Sequence, residues 1–490
     1  MTFNNLKKLI MYKKYIIFTA IFLNISILNA QYISKVLEYT PAPGQFINSS
    51  PWGVPSSANS IIGKLTGSMS LGAFGGYVIF KFDNPVKNDP NNPFGVDFTI
   101  FGNPLSNPAN QSEVIWAEQG IVSVMKDENN NGLPDDTWYE LAGSDYFFSS
   151  TIKNYSVTYT NPNQQTAADV PWVDNQGNSG FVLKNNFHTQ PYYPLSDSFP
   201  AINTTSYTLS GTRIADEVDT TNPSYVMSYA KAFGYVDNQV RGTAPYTLPD
   251  NPYTRKKENS GGDAFDIDWA VNENGEYVDL DEIDFIKVHN AVLANAGWLG
   301  EISTEITGAV DVTPDASISG ILDMIVIKSI PDTITGHEYQ LEVLPFHKGR
   351  KTNDEIVWSS NTPNATVNQN NILSFTTSGN LTLTVSLKNN SEISATTSTY
   401  LKYKNTSSAD FTLSNDNDIV VYPNPATDFI YIKGIDNASI IIFNIVGNKI
   451  SKTNNYSCNQ TISVKHLPKG VYIIMIQKNN YTKKIKFLKK

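Results

Sequence analysis

The sequence has few of the residues that build disulfide scaffolds, zinc sites or nucleic-acid interfaces. Among 490 residues it contains one cysteine, Cys458, which excludes a disulfide framework and any metal site made of several cysteines. Lysine and arginine number 36 against 46 aspartates and glutamates, giving a net charge of −10. A nucleic-acid binder needs a basic surface to neutralise phosphates, so we expect no nucleic-acid partner. Charged residues make up only 17% of the chain, too few for a long coiled coil.

The abundant residues favour strands joined by turns. Aromatic residues reach 12%, with 30 glycines and 26 prolines, and apolar residues alternate with polar ones at period two in many short stretches. The sequence therefore predicts an all-β protein, with a length that suits roughly two to four domains. After residue 30 no apolar stretch reaches the roughly 20 residues that a transmembrane helix needs. We therefore expect a protein that does not span a membrane.

Residues 1–30 are typical of a secretory signal peptide. An apolar run over residues 15–27 follows a basic start, and Ala30 offers a small residue for cleavage before Gln31. The basic start contains Lys7, Lys8, Lys13 and Lys14. No cysteine comes directly after the apolar run, so we expect no lipoprotein anchor. The alternative is an uncleaved membrane anchor.

The last 72 residues, 419–490, alternate with period two in at least four stretches separated by Asp, Asn and Gly turns. This pattern predicts a small antiparallel β-sandwich. Residues 406–418 before it are polar and are interpreted as a linker.

Three motifs in this tail resemble the C-terminal sorting domain of the type IX secretion system, a family of the Bacteroidetes lineage. The motifs occupy residues 421–428, 443–447 and 467–472, and their marker residues are Pro423, Asn424, Pro425, Gly447, Gly470 and Tyr472. The resemblance implies export across the outer membrane by the type IX machinery, followed by release or attachment at the cell surface. The alternative is an ordinary terminal β-domain.

The middle of the chain divides into two predicted parts. Residues 31–312 are expected to form a large sandwich of jelly-roll type, in one lobe or in two with the second beginning near residue 165. Their motif order resembles uncharacterised Bacteroidetes cell-surface proteins. Residues 313–405 contain a Trp-Ser-Ser strand at Trp358 followed by an Ala-Thr-Val strand, which resembles bacterial Ig-like domains. The resemblance implies a spacer module with Trp358 in its core.

One segment carries a sharp chemical pattern. Ca²⁺ prefers six to eight hard oxygen ligands on a turning loop, with side chains at alternate positions and a glycine at the sixth. Gly132 occupies the sixth position, and the predicted ligands are Asp127, Asn129, Asn131, the Leu133 carbonyl, Asp135 and Asp136. The segment resembles the calcium loops of EF-hand, dockerin and thrombospondin type-3 proteins, although Trp138 stands where an EF-hand has glutamate. The alternative is a polar hairpin whose Asn and Gly residues only make turns.

Two further groups are candidate ligand contacts. Asp266 and Asp268 are predicted to share a strand face, where both carboxylates could reach a second cation or flank a sugar bond. Tyr192 and Tyr193 could stack on a sugar ring or on a flat macrocycle. A solvated acidic face and core packing are the respective alternatives.

The sequence lacks the Gly-x-Ser-x-Gly, His-Glu-x-x-His and phosphate-loop motifs. The leading hypothesis is a secreted or surface-attached, non-enzymatic binding protein for a glycan, a matrix component or a nutrient, with structural Ca²⁺ as its cofactor. Capture of a corrinoid for an outer-membrane transporter is one alternative. A second is a carbohydrate-active hydrolase that uses a carboxylate pair such as Asp266 with Asp268 or Glu140. A third is a structural component of a surface layer.

Overall fold

A computed structural model describes residues 31–490, apart from 314, 316, 405–418, 446, 459, 479 and 480. The predicted signal peptide, 1–30, and linker, 406–418, lie outside the described residues. The all-β prediction is confirmed, because the described residues form 38 strands and four short 3₁₀ turns. The chain divides into two compact units, of which the first ends at Tyr403 and the second begins at Lys404. In the part of the chain that the structure describes, no helix is long and apolar enough to cross a membrane.

Twenty-one strands and all four 3₁₀ turns lie between residues 35 and 311. The strands are β1 Lys35–Thr40, β2 Met69–Ser70, β3 Tyr77–Lys81, β4 Val86–Lys87, β5 Phe98–Phe101, β6 Leu105–Asn107, β7 Asn110–Trp116, β8 Gly120–Met125, β9 Tyr139–Leu141, β10 Ile152–Thr160, β11 Val170–Asp174, β12 Ser179–Val182, β13 Ser206–Arg213, β14 Val218–Asp219, β15 Met227–Ser228, β16 Asp263–Phe265, β17 Ala270–Val271, β18 Glu282–Ile283, β19 Phe285–Asn290, β20 Glu305–Ile306 and β21 Gly308–Asp311. The 3₁₀ turns are Pro55–Ile61, Pro93–Gly95, Ile267–Trp269 and Gly297–Leu299.

The central sheet of this region has six antiparallel strands in the order β1-β3-β19-β8-β9-β17. Alternate residues of a strand point to opposite faces. Val122 and Val124 of β8 therefore enter the main core with Val288 of β19. Ser123 lies between them and faces the other way, directly opposite Lys287. We call the face that carries Ser123 and Lys287 the polar face; Ile121, Met125 and Phe285 are also buried on that side.

A second sheet, in the order β12-β11-β10-β13, has a core of its own. Alternation along β10 places Tyr155, Val157 and Tyr159 in that core, while the residues between them are less buried. This sheet begins at Ile152, and the predicted division of 31–312 into two lobes stays a prediction.

Ten further strands complete the first unit. They are β22 Asp323–Ile327, β23 Thr333–Gly336, β24 Glu338–Gln340, β25 Val343–His347, β26 Arg350–Lys351, β27 Ile356–Ser360, β28 Ala365–Val367, β29 Ile372–Phe375, β30 Gly379–Leu387 and β31 Ser394–Tyr403. The half-buried Trp358 packs against both apolar clusters of this segment, and its Nε1 donates to Asn371 Oδ1 at 3.0 Å.

This segment shares the main core with the preceding residues. The Phe346 ring lies 5.1 Å from the Phe233 ring between centroids, in an edge-to-face contact, and Phe346 belongs to the same buried cluster as Trp269. The buried Trp269 donates from Nε1 to the Lys348 carbonyl at 3.0 Å. Residues 313–403 are therefore packed on the large region, while the predicted boundary at 312/313 and the Ig-like identity stay predictions.

The second unit is the small sandwich predicted from the tail. Its strands are β32 Val420–Tyr422, β33 Phe429–Lys433, β34 Ala438–Asn444, β35 Lys449–Tyr456, β36 Ile462–Ser463, β37 Gly470–Lys478 and β38 Tyr481–Lys489. They form two antiparallel sheets, ordered β32-β33-β36 and β35-β34-β37-β38, around one apolar core. Cys458 is exposed in this unit.

We predict that Gly349→Ala destabilises the first unit by about 2–5 kcal/mol. Gly349 has a φ of 71°, where an L-residue costs about 1–2 kcal/mol. Its added Cβ would also collide with the Trp269 ring, and overpacking adds roughly 1–3 kcal/mol. Gly177→Ala is the matched control, because Gly177 has a φ of 84° but no atom lies within 4 Å of its added Cβ. Denaturant unfolding followed by tryptophan fluorescence should show the larger loss for Gly349→Ala, and equal losses would contradict the packing role of Trp269.

Candidate functional site

Exposed aromatic rings gather where three loops of the first unit meet. The loops are residues 44–53, 185–191 and 295–300. We call their five rings the aromatic surface: Phe46, Trp52, Phe187, His188 and Trp298. Phe187 is 68% exposed, Trp298 50% and Trp52 38%, while Phe46 and His188 are half-buried. Rings this exposed contribute little to a core, and a cluster of them is a candidate interaction surface.

The rings of the aromatic surface form two groups of contacting side chains. Phe46 lies 5.6 Å from Trp52 and 4.8 Å from His188 between ring centroids. Phe187 lies 5.9 Å from Trp298. Phe187 and His188 are neighbours in sequence, so the loop 185–191 carries one ring of each group. Such offset and edge-to-face arrangements are the favourable ones for aromatic pairs.

Buried polar side chains fix the three loops to one another. Gln45 donates from Nε2 to the Leu299 carbonyl at 2.9 Å and accepts from Asn185 Nδ2. Asn48 donates from Nδ2 to the Pro191 carbonyl at 2.8 Å. The indole of Trp298 donates to the Pro223 carbonyl at 2.9 Å. The rings are therefore held before any ligand arrives, which lowers the entropic cost of binding.

Tyr192 and Tyr193 lie beneath this surface rather than on it, which corrects their predicted stacking role. They are 1% and 2% exposed, so no ring face is open to a ligand. The Tyr192 hydroxyl accepts from the Asn185 amide at 3.1 Å, and the Tyr193 hydroxyl donates to the Asn203 carbonyl at 2.6 Å. Burial raises the pKa of each phenol to about 12. The pair supports the loop that carries Phe187.

The prediction that Asp266 and Asp268 share a strand face is wrong. Strand β16 ends at Phe265, and residues 267–269 form a 3₁₀ turn that Asp266 caps by accepting from the Asp268 amide at 2.8 Å. Asp266 is buried. Asp268 is partly exposed and pairs with Arg350 at 3.3 Å. The chain forms a turn here instead of continuing the strand, because a short acidic side chain can accept a hydrogen bond from the backbone amide two residues on.

The predicted calcium loop joins β8 to β9 as a hairpin connection. Asp127 accepts from the Asn131 and Gly132 amides at 3.0 and 2.8 Å. The side-chain oxygens of Asn129 and Asn131 also accept backbone amides within the loop. The amide groups of Asn129 and Asn131 donate to Asp136 and Asp135 respectively. Hydrogen bonds thus link the five side chains within the loop, while the carboxylates of Asp127, Asp135 and Asp136 do not all lie within 4.8 Å of one another.

The donor set of this loop fits a hard cation, because its side chains offer oxygens and no sulfur or imidazole. Its exposed position suits the modest affinity of extracellular calcium modules. Strands β8 and β19 are antiparallel, with Met125 opposite Phe285 and Gly120 opposite Asn290. The calcium loop and the loop bearing Trp298 therefore leave opposite ends of this strand pair.

A cleft of about 230 Å³ lies on the polar face of the central sheet. Ser123 stands opposite both Lys287 and Glu140 in the strand register. Lys153, Glu273, His289 and Tyr146 are the other ionisable residues of the lining. Burial raises the pKa of Glu140, against the opposing effects of Lys153 and of the Thr212 hydroxyl that donates to it at 2.5 Å. Burial lowers the pKa of Lys153 to about 8, although Glu140 opposes the shift.

The sequence reasoning missed three buried carboxylates, Glu118, Asp237 and Glu305, whose ligand oxygens lie within 4.8 Å of one another. It also missed the aromatic surface. Aromatic residues in polar loops, such as Phe187 in Asn-Asn-Phe-His, were an available signal for the surface. The acidic Glu305 within Ser-Thr-Glu-Ile-Thr was an available signal for the carboxylates, but its partners lie far away in sequence.

The predicted sorting residues fasten the tail of the second unit. Asn424 accepts from the Leu488 amide at 2.9 Å and donates to the Lys486 carbonyl at 3.3 Å, between Pro423 and Pro425. Gly447 has a φ of 89° in the turn between β34 and β35. Gly470 begins β37, and the Tyr472 hydroxyl donates to the Pro468 carbonyl at 2.8 Å.

Residues 420–490 match the family described as secretion system C-terminal sorting domain. This unit is a type IX sorting domain, as the sequence motifs predicted. The protein is therefore exported to the cell surface or the extracellular space.

Similarity to solved structures is weak. Dimeric latent PorU from Porphyromonas gingivalis has 9% identity and a TM-score of 0.15, with 69% of this chain and 29% of PorU covered. PorZ, a surface component of the type IX system of the same organism, has 14% identity and a TM-score of 0.15, with 86% and 57% covered. Surface layer protein SbsC, domains 4–9, has 11% identity, a TM-score of 0.15 and 69% and 48% covered. Scores this low do not establish a shared fold. The comparison with curated proteins gives no match.

We predict that His289 weakens the fold in mild acid. It is buried beside the cleft, with Nε2 bonded to the Thr212 carbonyl at 3.1 Å, and burial lowers its pKa to about 4. Between that value and its ordinary pKa of about 6.5, the unfolded chain binds the proton and the folded chain does not, so stability falls as pH falls. The slope from this one group is about 1.4 kcal/mol per pH unit.

The measurement is the free energy of unfolding between pH 4 and 7 for the parent and for His289→Gln. The slope should be shallower in the variant, and His347→Gln, at an exposed histidine, is the control. Parallel pH curves for the parent and His289→Gln would contradict a neutral buried imidazole.

Proposed function

We propose that this exported protein is a non-enzymatic binding protein that holds its ligand on the aromatic surface. The observation that supports this most directly is the ring pair Phe187–Trp298, exposed yet fixed in place by hydrogen bonds to the loops beneath. Binding hot spots are enriched in tryptophan and other rigid aromatic anchors. Export to the cell exterior places such a surface where glycans, matrix and nutrients are found.

The ligand class that suits these rings best is a glycan. The C–H faces of sugar rings pack on aromatic faces, and the surrounding loops offer Asn and Gln side chains for hydroxyl groups. The contacts Phe46–Trp52 and Phe187–Trp298 are two aromatic pairs, which suits a chain of several sugar units. A corrinoid is the alternative candidate ligand, because a flat macrocycle also stacks on aromatic rings.

Calcium would serve as a brace of the 127–136 hairpin in this proposal. That loop leaves the end of β8 that is far from the aromatic surface, so the cation would stabilise the sheet rather than contact ligand. The hydrogen bond from the Asp127 amide to Asp284 at 2.7 Å already ties the loop to the segment that precedes β19.

A hydrolase is the second candidate function, and the cleft is the observation that favours it. Glu140 and Glu273 both line this cleft, and a carboxyl group with a raised pKa is a general acid for glycoside cleavage. Neither Asp266 nor Asp268 is among the residues that line it, so the carboxylate pair expected from the sequence would be replaced by Glu140 with Glu273.

We predict that Phe187→Ala and Trp298→Ala each weaken glycan binding by about tenfold or more, since losing a central aromatic anchor costs at least about 1.4 kcal/mol. The measurement is affinity by calorimetry after a screen of polysaccharides and of a corrinoid. Phe181→Ala is the matched control, because Phe181 is 55% exposed on β12 outside the aromatic surface.

The outcomes separate the alternatives. Loss of binding in both surface variants, with the control unchanged, supports the proposal, and a corrinoid that binds where glycans do not would change the ligand class. Release of reducing sugar that disappears in Glu140→Gln would establish the hydrolase instead. Affinity equal to the parent in Phe187→Ala and Trp298→Ala would contradict the aromatic surface as the binding site.

The calcium loop has a separate prediction. The double variant Asp127→Ala/Asp135→Ala should carry about one Ca²⁺ per chain less than the parent, because two of the loop's charged ligands are lost. Glu128→Ala is the control, since Glu128 is exposed in the same loop and fills no ligand position. Elemental analysis after dialysis against calcium is the measurement, and equal calcium in all three proteins would show that the loop is only a turn.

A further inference from the structure

Three acidic side chains meet inside the first unit at a place that no motif marks. Glu118 lies between β7 and β8, Asp237 lies in the loop before β16, and Glu305 begins β20. They are 8%, 0% and 5% exposed. One oxygen from each lies within 4.8 Å of the others. Among the described residues, this is the one set of three metal-ligating side chains gathered so closely.

Backbone amides aim these carboxylates at one another. Glu118 Oε1 accepts from the Ser303 amide at 3.0 Å. Asp237 accepts from the Asn103 amide at 2.7 Å and from the Glu305 amide at 2.8 Å. Gly102 leaves the room that Asp237 occupies, because an added Cβ there would collide with its carboxylate. The three side chains are thus held from several strands rather than by flexible surface loops.

One oxygen of this cluster has no partner. Glu305 Oε1 is buried and has no hydrogen bond to any group that the structure describes. A buried carboxylate oxygen without a donor has lost its hydrogen bonds to water and has gained none in exchange. This oxygen belongs to a side chain that contributes to the cluster, and a cation would supply what it lacks.

The charge of the cluster is also unbalanced. No described lysine, arginine or histidine forms an ion pair with Glu118, Asp237 or Glu305. Burial raises the pKa of all three carboxyl groups, and their mutual repulsion raises those of Asp237 and Glu305 further. Burying a charge is costly unless it is paired or binds a metal. One proton shared between Glu118 and Glu305 would leave two of the three negative charges, whereas a bound divalent cation would leave one.

We propose that Glu118, Asp237 and Glu305 bind one divalent cation, and that this cation is Ca²⁺. Ca²⁺–oxygen distances are about 2.3–2.6 Å, so ligand atoms within 4.8 Å of one another can share a single ion. The ligands are all hard oxygens, which disfavours zinc and copper. Mg²⁺ usually keeps several waters, and this cluster is buried.

The cation would stabilise the residues that support the aromatic surface. The cation site does not require that the aromatic surface binds a ligand. Glu301 lies close enough to Glu118 for their charges to interact, and Glu301 accepts from the Gln45 amide at 2.7 Å. Gln45 in turn holds the loop of Trp298. Removing the cation should therefore loosen the rings above it.

The test is a count of tightly bound calcium in the chain 31–490, by elemental analysis after dialysis into metal-free buffer. The loop variant Asp127→Ala/Asp135→Ala should still hold about one Ca²⁺ per chain, because the buried site encloses its ion. Adding Glu305→Gln to that variant should remove it. Adding Glu113→Gln, at an exposed glutamate, should not.

The melting temperature supplies the second measurement. EDTA should lower the melting temperature of the loop variant and leave that of the triple variant with Glu305→Gln unchanged. The proposal would be overturned if the loop variant holds no calcium and its melting temperature ignores EDTA. A loop variant without calcium whose melting temperature rises on adding Glu305→Gln would also overturn it, since protons would then offset the charge of the cluster. If the triple variant does not fold, the calcium count of the loop variant alone decides.

Discussion

The antiparallel register between β8 and β19 places every site of the first unit. Valines of one parity on these strands make the main core, and the side chains between them, Ser123 and Lys287, face the polar cleft. The two ends of the same strand pair then diverge in chemistry. One end continues into the Asp- and Asn-rich hairpin 127–136, and the other leads to the buried carboxylates and the aromatic surface. A slip of one residue in this pairing would exchange the two faces and bury Lys287 in the core.

The buried carboxylates destabilise the fold that encloses them. The packing that encloses Glu118, Asp237 and Glu305 excludes water. The loss of water raises the free-energy cost of their negative charges. The surrounding amides of Asn103, Ser303 and Glu305 offset only part of that cost. In our proposal, a bound cation would offset the remainder.

Much of the fold could be predicted because its signals are local. Alternation along residues 381–387 predicts β30, and the sorting motifs predict the second unit, since both depend on neighbours in sequence. The hydrogen bonds of the 127–136 loop also form within ten residues, and its calcium site stays a prediction. Glu118 and Glu305 could not be joined from sequence, because 187 positions and several strands separate them, and only the topology brings them together. Asp266 and Asp268 were misplaced because the side chain of Asp266 bonds the amide two residues on, which ends the strand pattern. For Tyr192 and Tyr193 the sequence left ligand stacking and core packing open, since an aromatic dipeptide in a polar stretch does not reveal which of its rings are covered; the structure buries both.

The distribution of reporter side chains has a practical consequence. The single thiol, Cys458, is exposed in the sorting unit, whereas all seven tryptophans lie before residue 404. A maleimide fluorophore therefore labels the sorting unit at its thiol. Tryptophan fluorescence, excited at the long-wavelength edge of the ultraviolet band, reports on the other unit, and neither unit needs an engineered residue. A cut between the two units would therefore leave the dye on one fragment and every tryptophan on the other, so the native chain reports such a cut without an added probe.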